Sequence, residues 1–68
     1  MARSLNNFGK NLKHALVDKN MKQVTLAEKC GVSVYSISKF TRGECTPGAE
    51  LLIKIADVLG VTVDSLIQ

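Results

Sequence analysis

Tyr35, Ser38, Lys39 and Arg42 stand at i, i+3, i+4 and i+7, a spacing that lines them up on one outward stripe of a helix. The stripe carries two cations and two hydroxyls, hydrogen-bonding groups that suit an anionic partner. Nothing comparable points to catalysis. No paired carboxylates, Cys/His pair or Gly-rich phosphate loop occurs at usable spacing, and so short a chain has little room for a cleft. No enzymatic activity is expected. Cys30, Cys45 and His14 are too few to build a zinc site. Cys30 reads as a small buried hydrophobe, Cys45 as an exposed loop thiol, and His14, beside Lys13, as a surface residue. Neither a cofactor, a metal nor a small-molecule ligand is expected.

Charge is arranged to favour the same kind of partner. The formal net charge is +3, but residues 1–43 hold Arg3, Lys10, Lys13, Lys19, Lys22, Lys29, Lys39 and Arg42 against Asp18 and Glu28, a net +6. Residues 44–68 hold Lys54 against Glu44, Glu50, Asp57 and Asp64, a net −3. A basic front and an acidic back orient a molecule on a phosphate backbone and speed its association. An ordinary solubilising surface is the plainer account of the same distribution.

The elements that must position the stripe are short helices. A chain of 68 residues reads as one domain, residues 1–68. A domain this small buries only about 60% of its unfolded surface, which makes help from a partner subunit attractive. Apolar residues at 46% and charged residues at 22% describe a folded domain. Met1 to Leu5 has Arg3 but no apolar segment behind it, so no signal peptide is expected and a reducing cytoplasm is the default location. No apolar run approaches 18 residues, so no membrane span is expected.

A first helix begins near Ser4, a candidate cap, with Leu5, Phe8, Leu12, Ala15 and Leu16 at helical spacing and a weak point expected at Gly9. A second runs from about Gln23 to Cys30, turns Leu26, Ala27 and Cys30 inward, and stops at Gly31. Ser33 caps a third, from Val34 to about Arg42, with Ile37 and Phe40 inward and Gly43 closing it. Thr46 is expected to cap a fourth, with Pro47 in its first position, Leu52, Ile55, Ala56 and Leu59 on its inner face, and Gly60 at its end. Thr62 caps a last short helix holding Val63, Leu66 and Ile67. Only Val61 to Val63 hints at strand alternation, so the fold class is all-α, with five helices.

Residues 23–43 are the informative stretch: a short helix, a tight turn at Gly31-Val32-Ser33, and a second short helix polar on its outer face. The DNA major groove admits one such helix while the first crosses the backbone and holds it. Here the sequence resembles the lambda-repressor-like helix-turn-helix family, which includes phage Cro and repressor proteins and XRE-like bacterial regulators. The resemblance covers nearly the whole chain. It rests on Phe8-Gly9 with Leu12, Gln23 followed by Leu26-Ala27, Gly31-Val32-Ser33, Ile37, Arg42-Gly43, Pro47, the Leu51 to Leu59 helix and Gly60-Val61-Thr62-Val63-Asp64-Ser65-Leu66. It implies a compact five-helix DNA-binding domain with the helix-turn-helix at about 23–42.

The resemblance implies that Val34, Tyr35, Ser38 and Lys39 read base edges. Their chemistry is compatible: Lys39 can donate to guanine O6 and N7, Ser38 to most base edges, and Val34 can pack on a thymine methyl. It further implies phosphate contacts at Gln23 and Ser33, near helix N-termini, and at Arg42 and Thr46 after the third helix. Two departures stand out. Where the family commonly pairs an arginine with a glutamate, this chain has Leu16 and Thr41; losing both partners together avoids a lone buried charge. At the head of the third helix, where glutamine is frequent, it has Val34 and Tyr35. That removes a bidentate reader of adenine and leaves the operator unnamed.

The expected function is sequence-specific binding of double-stranded DNA by a homodimer, as a transcriptional repressor of the Cro or controller type. The palindromic operator would have half-sites about 34 Å apart. Val63, Leu66 and Ile67 near the chain's end are the expected dimer contact, and the lack of a ligand-sensing domain favours regulation by the protein's own concentration. The alternative is a protein-interaction module or antitoxin-like adaptor that uses Val34, Tyr35 and Phe40 as an apolar patch.

Overall fold

Helix follows helix with no strand among the described residues: α1 (Arg3–Asp18), α2 (Gln23–Cys30), α3 (Val34–Thr41), α4 (Ala49–Leu59) and α5 (Val63–Ile67). The structure is a computed structural model that describes residues 3–68, with side chains from Asn7 onward. α1 is already helical at Arg3, so Ser4 lies inside it rather than capping it; the side chains of Ser4 and Leu5 lie outside the described residues.

One apolar core joins all five helices. Phe8, Leu12 and Leu16 come from α1, Leu26, Ala27 and Cys30 from α2, Ile37 and Phe40 from α3, Ile55, Ala56 and Leu59 from α4, and Leu66 from α5. Phe8 and Phe40 meet edge to face with ring centroids 6.3 Å apart, the geometry that aromatic quadrupoles favour. α2 packs on α3 and α4, while α1 packs on α3 and α5. The Asn7 and Asn11 amides, one turn apart on α1, donate to the Gln68 and Leu66 carbonyls at 2.9 and 3.0 Å. They thereby satisfy backbone acceptors that the end of α5 would otherwise leave open.

Three further expectations change. Gly9 is not simply a weak point. It is buried where α1 crosses the end of α3, and a Cβ there would stand 2.8 Å from the Phe40 carbonyl oxygen and 3.0 Å from that of Thr41. Its helix-propensity cost of about 1 kcal/mol accompanies a backbone approach that no larger residue permits. Second, α4 is capped by Gly48, not Thr46, and Pro47 lies outside the helix. Starting at Thr46 would place Gly48 inside the first turn, where glycine costs about 1 kcal/mol, whereas at the cap position glycine is well tolerated. Third, Leu66 is 1% exposed and belongs to the core, so it has no surface left for a partner subunit.

Candidate nucleic-acid interface

The position of α3 follows from its two ends. At the start, the Ser33 hydroxyl accepts the Ser36 N–H at 3.2 Å, satisfying a donor that the first turn cannot pair internally. At the finish, Gly43 takes φ 76°, its N–H donates to the Phe40 carbonyl at 3.1 Å, and the Glu44 N–H donates to the Lys39 carbonyl at 3.0 Å. Those two bonds make a Schellman turn. Between the ends, Ile37, Phe40 and Thr41 face inward and are buried. The Thr41 hydroxyl donates to the Ser38 carbonyl at 2.8 Å, and no buried side-chain polar atom lacks a partner among the described residues. Leu16 and Thr41 are thus both buried without leaving an unpaired polar group.

With the inner face committed, the outer face is free. Val34 is 45% and Tyr35 66% exposed, while Ser38 and Lys39 are half-buried. The Lys39 ammonium lies 5.4 Å from the Tyr35 ring centroid, within range of a cation–π attraction. Arg42, the C-cap of α3, donates from Nη1 to the Ser38 hydroxyl at 2.8 Å. Through Nε and Nη2 it also donates to the Glu44 carboxylate at 2.8 and 3.3 Å. This fork raises the Arg42 pKa and lowers that of Glu44, in each case first through the side-chain hydrogen bond between them. The i, i+3, i+4, i+7 stripe thus exists as one surface, and Glu44 joins it. Sequence spacing offered no sign of Glu44, because it lies beyond the helix and only the Schellman turn folds it back.

The other expected contacts lie outside this stripe. Gln23 is the first residue of α2, whose cap, Lys22, makes no side-chain hydrogen bond, so the N-terminal N–H groups of α2 have no side-chain acceptor there. Ser33 and Thr46 are exposed on either side of α3. Val63 is half-buried against the core and Ile67 is 41% exposed. Two lysines that the stripe had not included also border it. Lys10 and Lys13 of α1 line a shallow cavity of about 210 Å³ with Thr41, Arg42 and Gly43.

Cys30 and Cys45 are free thiols. Burial pushes the Cys30 pKa up, and Lys54 opposes that shift. Cys45, expected to be exposed, is half-buried because its side chain packs against the core. No described helix is long and apolar enough to cross a membrane.

Comparison with known proteins agrees with this architecture. A helix-turn-helix family model matches residues 12–66. The transcriptional repressor RstR of the cryptic phage CTXphi in Vibrio cholerae is 40% identical over 47 residues, 69% of this chain and 42% of that protein. The crystal structure of the clp gene regulator ClgR from Corynebacterium glutamicum superimposes with a TM-score of 0.87 at 32% identity, covering 94% of this chain and 69% of that one. The restriction-modification controller protein C.AhdI from Aeromonas hydrophila superimposes with a TM-score of 0.85 at 26% identity, covering 91% and 94%. The chain spans from about a fifth to a little over half the length of the curated relatives it matches. A match over most of the chain, joined to five helices in this arrangement, makes it a member of the lambda-repressor-like helix-turn-helix family of phage and bacterial transcriptional regulators.

Proposed function

We propose that the protein is a sequence-specific double-stranded DNA-binding regulator that docks α3 in the major groove. We further propose that it is a repressor of the Cro or controller type, acting as a homodimer on a palindromic operator. The observation that carries this reading is the division of α3: Ile37 and Phe40 are held in the core while Val34, Tyr35, Ser38, Lys39 and Arg42 form one outward polar and basic surface. In this arrangement Val34, Tyr35, Ser38 and Lys39 read bases. Gln23, Ser33, Arg42 and Thr46 hold phosphates, Gln23 at a helix N-terminus without a side-chain cap, where N–H groups and the helix dipole favour an anion.

A two-fold dimer would present two α3 helices about 34 Å apart, and extents of 31 × 21 × 21 Å allow two copies to sit side by side at such a spacing. Of the apolar residues near the chain's end, Ile67 and the exposed part of Val63 are available for that contact. RstR is a repressor by name and C.AhdI a controller; occupation of promoter DNA is the mode we assign to this chain.

Selection of bound duplexes from a randomised pool by the purified protein at physiological salt tests the proposal. Enrichment of an inverted repeat with half-sites one helical turn apart is the expected result. Enrichment of a single half-site would overturn the dimer, and recovery of unenriched DNA would remove base reading from α3 and favour a protein partner.

A further inference from the structure

Arg42 has two environments within reach. In one direction its guanidinium is forked onto Glu44, at 2.8 and 3.3 Å, and tied to the Ser38 hydroxyl. In the other it borders the cavity of about 210 Å³ that Lys10 and Lys13 of α1 share with Thr41 and Gly43. That cavity joins three cationic side chains in one concave place, continuous with the outer surface of α3, and no carboxylate lines it. Its lining of three cations and no carboxylate suits a phosphate group. Arg42 and Glu44 form the only ion pair among the described side chains, and both are about half exposed, at 48% and 50%. An exposed pair of this kind is weak and exchangeable. A carboxylate accepting a guanidinium fork also offers nearly the same hydrogen-bond pattern as a phosphodiester.

We propose that the notch between α1 and the end of α3 seats a backbone phosphate of DNA on Lys10, Lys13 and Arg42, and that Glu44 occupies Arg42 as an internal substitute for that phosphate. This rests on the DNA-binding reading above and adds two lysines and an acidic competitor to it. In the free protein Glu44 neutralises Arg42, one of the two cations on the stripe, which lowers affinity for DNA that is merely nearby. When the duplex is docked closely enough to bring a phosphate into the notch, the phosphate takes the fork and the Ser38 hydroxyl is released toward the groove. Glu44 is in this sense a specificity-determining residue although it reads no base.

The test is the affinity for a random-sequence duplex of about 20 base pairs between about 50 and 200 mM salt, where each phosphate contact changes the logarithmic salt slope by about 0.9. Replacing both lysines (K10A/K13A) is expected to flatten the slope by up to about 0.9, the value for one phosphate, and to weaken binding about 10-fold at the low-salt end. E44Q is expected to tighten binding about 3-fold and to steepen the slope by up to about 1, and to lose that effect when Arg42 is already replaced by Ala. These side chains are exposed, so thermal melting should find all the variants folded. The proposal is overturned if K10A/K13A leaves the slope unchanged. It is also overturned if E44Q acts equally with and without Arg42, which would make Glu44 a distant repulsive charge, or if E44Q weakens binding, which would make it a support for Arg42. Failure of the wild-type protein to bind any duplex in a salt-dependent way would instead overturn the DNA-binding reading itself.

Discussion

The two ends of α3 are built on opposite plans. Its N-terminal turn stands clear of the protein: Val34 and Tyr35 are exposed, and one hydroxyl, that of Ser33, organises the turn. The C-terminal turn is enclosed. Phe40 and Thr41 are buried, α1 presses on the backbone at Gly9, and the Schellman turn folds Glu44 back onto Arg42. The difference shows that the helix is aimed from its rear. With its leading end free, α3 must take its orientation from contacts at the trailing end and along the inner face.

That contrast can be broken in order of size. Ile37→Ala removes the fully buried side chain at the middle of α3 and should lower unfolding free energy by about 2–5 kcal/mol, read as a lower denaturation midpoint with an unchanged m-value. Gly9→Ala would normally favour a helix. Here the added Cβ meets the Phe40 and Thr41 carbonyls, and the expected result is a loss of about 1–3 kcal/mol. A gain in melting temperature would mean that α1 and α3 are not locked together at this point. Ser33→Ala should cost about 1 kcal/mol by leaving the Ser36 N–H without its acceptor.

Tyr35→Ala, at the free end, should change stability by less than about 0.5 kcal/mol while altering the sequences recovered from a randomised DNA pool. If instead its melting temperature falls as far as that of Gly9→Ala, the leading end is as structural as the trailing one. The thiols offer a smaller check on burial. A neutral-pH alkylating reagent should modify Cys45 before Cys30, whose burial raises its pKa and blocks access.

Much of this was legible in short windows of sequence. Gly31 and Gly60 end their helices, Ser33 and Thr62 accept the N–H groups three residues on, and the 3.6-residue pattern picked out Leu12, Leu26, Ile37, Ile55 and Leu59 as core. The outward stripe of α3 was visible for the same reason, since i, i+3, i+4 and i+7 share a helix face whatever surrounds the helix. The start of α4 was harder, because Thr46-Pro47 and Gly48 both carry plausible start signals and the choice depends on where glycine costs least.

By itself, then, the sequence determined which segments become helices, where their caps fall to within a residue or two, which face each buries and which face of α3 remains polar. These properties arise from interactions within a turn or two of the chain. Tertiary structure alone decided that Gly9 is a contact rather than a weakness, because the carbonyls it meets lie 31 and 32 positions further along. It likewise decided that Leu66 belongs to the core, with the Asn11 amide on its carbonyl 55 positions away. It also brought Lys10 and Lys13 to the side of Arg42. No local pattern carries such information: whether two helices distant in sequence meet, and at which side chains, depends on how the whole core packs.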